Sequence, residues 1–516
     1  MKRFIQQFGK EISAVLSGWD RMVFRGSLRR ISYSVGMTDF LFKNGVLIKN
    51  FGSYVSSVSK SLIEGSCRAA SDQGRPIEYL GSAKTDKEER ARAIAKSDGI
   101  KQGLIGVFKS VELCQTYDVK NDYQKGYPIL ISRIRKCSFL YHYMIHPEFG
   151  FCHARIQSWF PFPIQICING HEWLAKTLDK KGIAYQRYEN CFPWIKDFPL
   201  AQKLMKQQLK TNWPDKLNAM ARIVNPIHPQ IFQKYPLEYY WSVRESEWST
   251  DIVFKQPDFL QSIYPRLLVH GIVHSSSPVA MRFLGKRPRL NFKKDVISKY
   301  KLGPEGACIK HRVAKNSVKL YGKYRNLLRG ETTINNPGEM KSYRPSERNP
   351  LGERSWRRLR YGVADLARRA EISQAINDRY LDSFAGLDTS SALGDLLKQI
   401  TEPTTWKRYR VRGLRPSSQE DLALFRAVMH GEFTINGFRN RDLQGILFKT
   451  EAPTEQEKRR RSSKVSRLLR MLRAHHLIRR IPSTYRYMLT EKGTILLKAV
   501  LAVQQITLDQ LNKLAA

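Results

Sequence analysis

Acidic side chains are scarce in this sequence. Against 88 Lys and Arg stand 46 Asp and Glu, a formal net charge of +42 over 516 residues. Like charges on a compact body repel one another, and an excess of this size goes well beyond what solubility asks for, so the composition predicts a polyanionic partner. Long apolar runs are missing as well. No stretch approaches the roughly 20 residues of a membrane-spanning helix, so no membrane partner is expected. The opening "MKRFIQQFGKEISAVLSGWDR" has two early basic residues but a broken apolar run. It does not read as a secretory signal, and the expected location is the cytoplasm. Cysteine is sparse and scattered: Cys67, Cys114, Cys137, Cys152, Cys167, Cys191 and Cys308 are odd in number and contain no CxxC pair. Neither a disulfide framework nor a cysteine-rich zinc site is indicated. Walker A loops, Rossmann glycine patterns and nucleophile-elbow serines are also absent, which disfavours ATP-driven chemistry.

What is present suffices for a sizeable core. With 42% hydrophobic and 11% aromatic residues, the chain is globular and long enough for two to four domains.

The most informative stretch lies near the C-terminus. Residues 462–493, "SSKVSRLLRMLRAHHLIRRIPSTYRYMLTEKG", hold eight Lys and Arg in thirty-two positions. Val465, Leu468, Leu469 and Leu472 recur at helical spacing, while Lys464, Arg467, Arg470 and Arg473 recur every three residues on an adjoining face. The pattern predicts a helix over 462–474 with a core side and a phosphate side, capped by Ser462 or Ser463. Two short β-prone runs around Pro482 and Ser483 predict a hairpin, and "EKGTILLKAVLAVQQI" returns to helical spacing. Upstream, "SSQEDLALFRAVMHG" opens with Ser418 three residues before Asp421, a capping-box pattern, and "NRDLQGILF" predicts a short second helix.

The order helix, helix, basic helix, hairpin, helix over about 416–505 resembles the winged helix-turn-helix family of DNA-binding domains. The resemblance implies that 462–474 is a recognition helix in the major groove, with Tyr485, Arg486 and Tyr487 near the wing. A basic solvated helix in a helical bundle and a winged helix used for protein contacts are the alternatives. The 23 basic against 10 acidic residues in 401–516 favour nucleic acid.

The rest of the chain predicts an α+β body, an antiparallel sheet with flanking helices, followed by the C-terminal winged helix. The expected divisions are 1–335 (body), 336–361 (a basic loop or linker), 362–404 (a helical connector) and 405–516 (the winged helix). Within the body, "WDRMVFRGSLRRISYS" alternates like a strand opened by Asp20, and "TDKEERARAIAK" predicts an exposed helix. In "FCHARIQSW", alternation places His153, Arg155 and Gln157 on one sheet face close to Trp159 and several other aromatics. Basic groups among exposed aromatics suit an unpaired strand, with an aromatic core strand as the equal alternative. His270 and His274 lie four apart, but no glutamate follows in zincin spacing. That run is read as a strand.

"NSVKLYGKYRNLLRGETTINN" predicts a hairpin turning near 324–326, with Lys319, Tyr321 and Lys323 on one face of its first strand and Arg329, Glu331 and Thr333 on one face of its second. The inventory would suit phosphoryl transfer, with Tyr321 as nucleophile, Glu331 as metal ligand, and Lys323 or Arg329 stabilising charge; an ordinary hairpin with cross-strand ion pairs is the alternative, and the favoured one. The strand pair Tyr-x-Lys and Arg-x-Glu is distantly similar to rolling-circle replication initiators and the filamentous-phage gene II type of replication protein. That resemblance implies a tyrosine nuclease using Mg²⁺ or Mn²⁺, with Asp20 and His153 as further ligands. Where many of those proteins carry a second histidine, this chain has Arg155. The two function classes expected are therefore a replication or transposition-type protein of a mobile element, and a non-enzymatic transcriptional regulator. DNA is the expected partner, RNA remains open, and oligomeric state is not legible.

Overall fold

A computed structural model describes the chain except residues 82–85, 125, 276, 288–294, 304–305, 387–397, 399, 431, 434–436, 449, 483 and 504–516. Among the described residues up to 360, strands interleaved with helices are β1 (Ile12–Ser27), β2 (Ile77–Tyr79), β3 (Gly103–Asp122), β4 (Tyr127–His146), β5 (Gly150–Gln157), β6 (Ile164–Asn169), β7 (Tyr185–Tyr188), β8 (Cys191–Ile195), β9 (Tyr240–Phe254), β10 (Val296–Gly303), β11 (Gly306–Val313), β12 (Asn316–Tyr324), β13 (Leu327–Ile334), β14 (Lys341–Arg344) and β15 (Ser355–Arg358). The protein is mixed α and β, with a large mixed sheet and flanking helices. Contacts divide it into two units, each discontinuous in sequence. One comprises residues 1–15, 250–333 and 373–516, and the other residues 16–249 and 334–372. Among the described residues no helix is long and apolar enough to cross a membrane.

In the unit 16–249/334–372, β1, β6, β5, β4 and β3 pair antiparallel in that order. The expected antiparallel sheet is mixed because β2 lies parallel beside β3, with Ile77 opposite Val107. Parallel neighbours need a crossover of a dozen or more residues. The charged segment expected as an exposed helix supplies it, as helix Lys87–Ser97 capped by Asp86, whose carboxylate accepts from the Glu88 and Glu89 N–H groups. Strand β1 starts well before Trp19, so Asp20 sits mid-strand and buried rather than opening it. Trp19, Phe24, Phe40, Phe149, Phe160 and Trp213 help fill this unit's main core.

In the unit 1–15/250–333/373–516, β10 to β13 form an antiparallel meander. The run around His270 is a helix, Pro257–His274, and not a strand. Leu260, Ile263 and Leu267 recur at helical spacing and are buried, a period of 3.6 that overrides the local β-prone composition. The expected linker 336–361 also has structure, since β14 and β15 pair antiparallel within it. Helix Leu366–Asp382 occupies the expected connector, whose later part falls largely outside the described residues.

The C-terminal region has its own core, built from Ile400, Leu414, Phe425, Phe438, Leu443, Val465, Leu469, Leu472, Leu477 and Leu496 among others. Its elements run strands β16 (Thr404–Trp406) and β17 (Tyr409–Val411), helix Gln419–Val428, helix Asn440–Leu447, helix Glu455–Ala474, strands β18 (Ile478–Arg480) and β19 (Tyr487–Leu489), and helix Glu491–Val503. The core reaches back to Ile400, which is fully buried and accepts a 2.8 Å bond from the Leu414 N–H, so it starts before residue 405.

Candidate nucleic-acid interface

The basic helix is longer than its apolar periodicity indicates. It starts at Glu455, with the Thr454 hydroxyl accepting from the Glu457 N–H, and it absorbs the basic run 458–461. Neither Ser462 nor Ser463 caps it. Val465, Leu469 and Leu472 face the core, whereas Leu468 is half-buried at the margin. Along the opposite side Arg459, Arg460, Arg467 and Arg470 are exposed, a stripe within about a third of the helix circumference. Arg460 lies 3.7 Å from Glu457, but among the described residues Arg459, Arg467 and Arg470 have no carboxylate within ion-pair distance. The other two predicted contacts are engaged within the protein. Lys464 pairs with Glu420 at 2.7 Å, and the Arg473 guanidinium lies 5.2 Å from the Trp406 ring and 5.9 Å from that of Tyr487.

Beside the helix, β18 and β19 pair antiparallel with Arg480 opposite Tyr487, and Phe438 bridges Tyr487 on the other side. The connecting turn presents Tyr485, 83% exposed, with the Arg480 guanidinium 5.6 Å from its ring. Arg486 turns inward and donates to the Gly437 carbonyl at 3.1 Å, and Tyr487 is half-buried. Asp421, expected as part of a capping box, is buried and takes both Arg412 nitrogens at 2.7 and 2.8 Å. Burial alone would raise its pKa. The Arg412 bonds and the Arg415 N–H outweigh that and hold it below the ordinary carboxylate range.

The 316–334 hairpin forms as expected, with Tyr321 opposite Arg329 and Lys319 opposite Glu331. The surroundings differ from those of a catalytic cleft. Tyr321, Lys323, Arg329 and Glu331 are all buried. The Tyr321 hydroxyl donates to Glu331 at 2.7 Å, Lys319 pairs with Glu331 at 3.0 Å, and Arg329 donates twice to Asp251. In this arrangement the phenol is buried with its proton given to Glu331, and the guanidinium has its counter-ion in Asp251.

Asp20 and His153 belong to the other unit, and each is held by its own partners. Asp20 accepts from Asn169 at 2.8 Å and from Asn190 at 2.7 and 2.8 Å, with His171 Nδ1 at 3.4 Å. Ser249 Oγ lies 3.3 Å from His171 Nε2. This serine, histidine and aspartate are all buried, with spacings at the long end of hydrogen-bond range. His153 packs between Tyr141 and Tyr143, and burial pushes its pKa down to about 4. Among the described residues no three His, Cys, Asp or Glu gather to hold a metal ion.

On the β5 face, alternation places residues as expected, and Arg155 and Gln157 are hydrogen-bonded within the protein. Arg155 donates to Glu112 at 2.9 Å and to the Tyr141 hydroxyl at 3.1 Å, and Gln157 is buried and donates to the Trp159 carbonyl at 2.9 Å. Trp159 is partly exposed, with the Arg135 guanidinium 5.5 Å from its ring. Sequence reasoning missed Arg459 and Arg460, whose signal was the Thr454-to-Glu457 capping pattern. It also missed Asp251, which no local pattern joins to Arg329.

Comparison of the chain with protein-family models, curated proteins and solved structures finds no match in any of the three.

Proposed function

We propose that this is a DNA-binding protein whose C-terminal region, from Ile400 onward, is a winged helix-turn-helix that engages duplex DNA through the helix Glu455–Ala474. The observation that carries the reading is the stripe of Arg459, Arg460, Arg467 and Arg470, three of them without a protein counter-charge among the described residues. A fold gains nothing from crowding unpaired guanidinium groups on one face, whereas a phosphate backbone neutralises them and releases counterions. The exposed Tyr485 between β18 and β19 adds a second element of the wing kind, and the C-terminal region's 23 basic against 10 acidic residues supports the same partner. The reading concerns site-finding, as in a replication or transposition-type protein, and not strand cleavage.

The test is full-length protein titrated against fluorescent duplex DNA over a range of salt. Log affinity should fall linearly with log salt. Arg467→Ala and Arg470→Ala should each weaken binding by about 1 to 3 kcal/mol if the side chain reads a guanine, or lower the salt slope by about 1 if it contacts phosphate. Wild-type affinity and slope in the double variant would remove the proposal.

A further inference from the structure

The segment expected to be an unstructured linker is a built surface. Strands β14 and β15 pair with Tyr343 directly opposite Trp356 and Lys341 directly opposite Arg358. Side chains two apart on a strand share a face. Tyr343, Trp356, Lys341 and Arg358 therefore stand on one side of the ribbon, and all four are exposed, as is Arg354 just before β15. Tyr343 is 55% exposed and Trp356 66%, with ring centroids 5.5 Å apart and planes inclined by 53°.

The opposite side anchors the ribbon. Arg344 is buried, with Asp365 3.8 Å away and Glu347 3.5 Å away. Asp365, wholly buried, accepts from the Arg360 N–H at 2.9 Å and from the Arg368 guanidinium. Met340 and Leu359, at the base of the two strands, are buried and joined by a 3.0 Å backbone bond. The aromatic pair is thus held on a fixed base, and little ordering would be lost when something binds to it.

Two features of the outer face work against the isolated protein. Large aromatic rings left in water forgo the stabilisation that burial would give. Lys341 and Arg358 are like charges directly across a strand pair, which is destabilising. Among the described residues Lys341, Arg354, Arg357 and Arg358 have no carboxylate within ion-pair distance. A ligand that offers flat rings and negative charge in alternation would relieve both.

We infer that the β14–β15 ribbon is a binding site for an unpaired nucleic-acid strand, with bases stacking on Tyr343 and Trp356 and phosphates lying against Lys341, Arg354 and Arg358. Duplex fits poorly, since its bases are already stacked on one another and only its phosphates are available. The site goes beyond the duplex-binding helix and does not depend on it.

The experiment measures binding of the full chain to labelled oligo(dT), oligo(U) and duplex DNA by anisotropy. Tyr343→Ala and Trp356→Ala should each weaken binding of the unpaired strands, between about fivefold and about a hundredfold, and leave duplex affinity unchanged. Tyr343→Phe and Trp356→Phe should retain most of it, because stacking needs a ring and not its polar edge. An Arg467→Ala/Arg470→Ala variant should show the reverse pattern, so failure of either site is visible alone. Thermal melts confirm that each variant is folded. Wild-type binding of both oligomers by the double alanine variant would overturn the inference. So would equal loss on duplex, or recovery of the protein on phosphatidylserine vesicles through the same two aromatics with no oligomer binding.

Discussion

Asp251 and Arg329 meet out of water, with Arg329 Nε 2.6 Å from Oδ1 and Nη2 2.8 Å from Oδ2. Arg329 is fully buried and Asp251 all but so. Removing one member of such a pair leaves a bare charge in the interior, which typically costs about 3 to 5 kcal/mol. Arg329→Ala and Asp251→Ala are each expected to lower stability on that scale in urea unfolding. Exchanging both residues for apolar ones of similar volume should restore much of it. A single variant as stable as wild type would show that the pair is solvated in solution.

The C-terminal core gives a second expectation. Leu472 is fully buried on the inner side of the basic helix, whereas Leu468 is only half-buried. Leu472→Ala should therefore cost about 2 to 5 kcal/mol through a cavity, and Leu468→Ala distinctly less. Denaturant midpoints of the two variants decide it, and the opposite ranking would mean that the helix is rotated from the orientation described.

Acid should loosen the protein through three histidines, His142 and His311 buried and His153 partly so. Burial pushes His142 and His153 down to about 4 and His311 to about 3. The unfolded imidazole titrates near 6.5. Between those values the unfolded chain binds protons that the folded chain refuses, so stability is complete above pH 7 and falls as pH drops from about 6.5 towards 4. Each tenfold difference in proton affinity between the folded and unfolded imidazole corresponds to about 1.4 kcal/mol. His142, wholly enclosed and lowered chiefly by burial, is the simplest to isolate. His142→Met should flatten the pH dependence of the melting temperature between pH 7.5 and 5, and an unchanged slope would assign the acid sensitivity elsewhere.

Periodicity made local elements readable and left their surroundings obscure. The 316–334 hairpin, the β5 alternation and the inner stripe of the basic helix follow from residue spacing alone. Spacing could not reveal that Tyr321 and Glu331 point into the protein, because the counter-charge for Arg329 comes from Asp251, 78 positions earlier. The charged and proline-rich composition of 335–360 suggested a linker. What orders it is tertiary, three arginines gathered round the buried Asp365 and an aromatic pair that forms only once the strands are in register. The parallel placement of β2 was hidden for the same reason, since three residues carry no sign of direction until the crossover helix is in place.

The helix Glu455–Ala474 is 20 residues long, so it extends for about 30 Å. A major groove about 12 Å wide takes only part of such a rod. In the binding mode proposed, the end bearing Arg467 and Arg470 enters the groove while the end bearing Lys458, Arg459 and Arg460 runs out across the sugar-phosphate ridge. Nuclease protection of a bound duplex would then be lopsided, reaching further on one flank than on the other. Shortening the DNA on the long flank would lower affinity without altering which sequence is preferred.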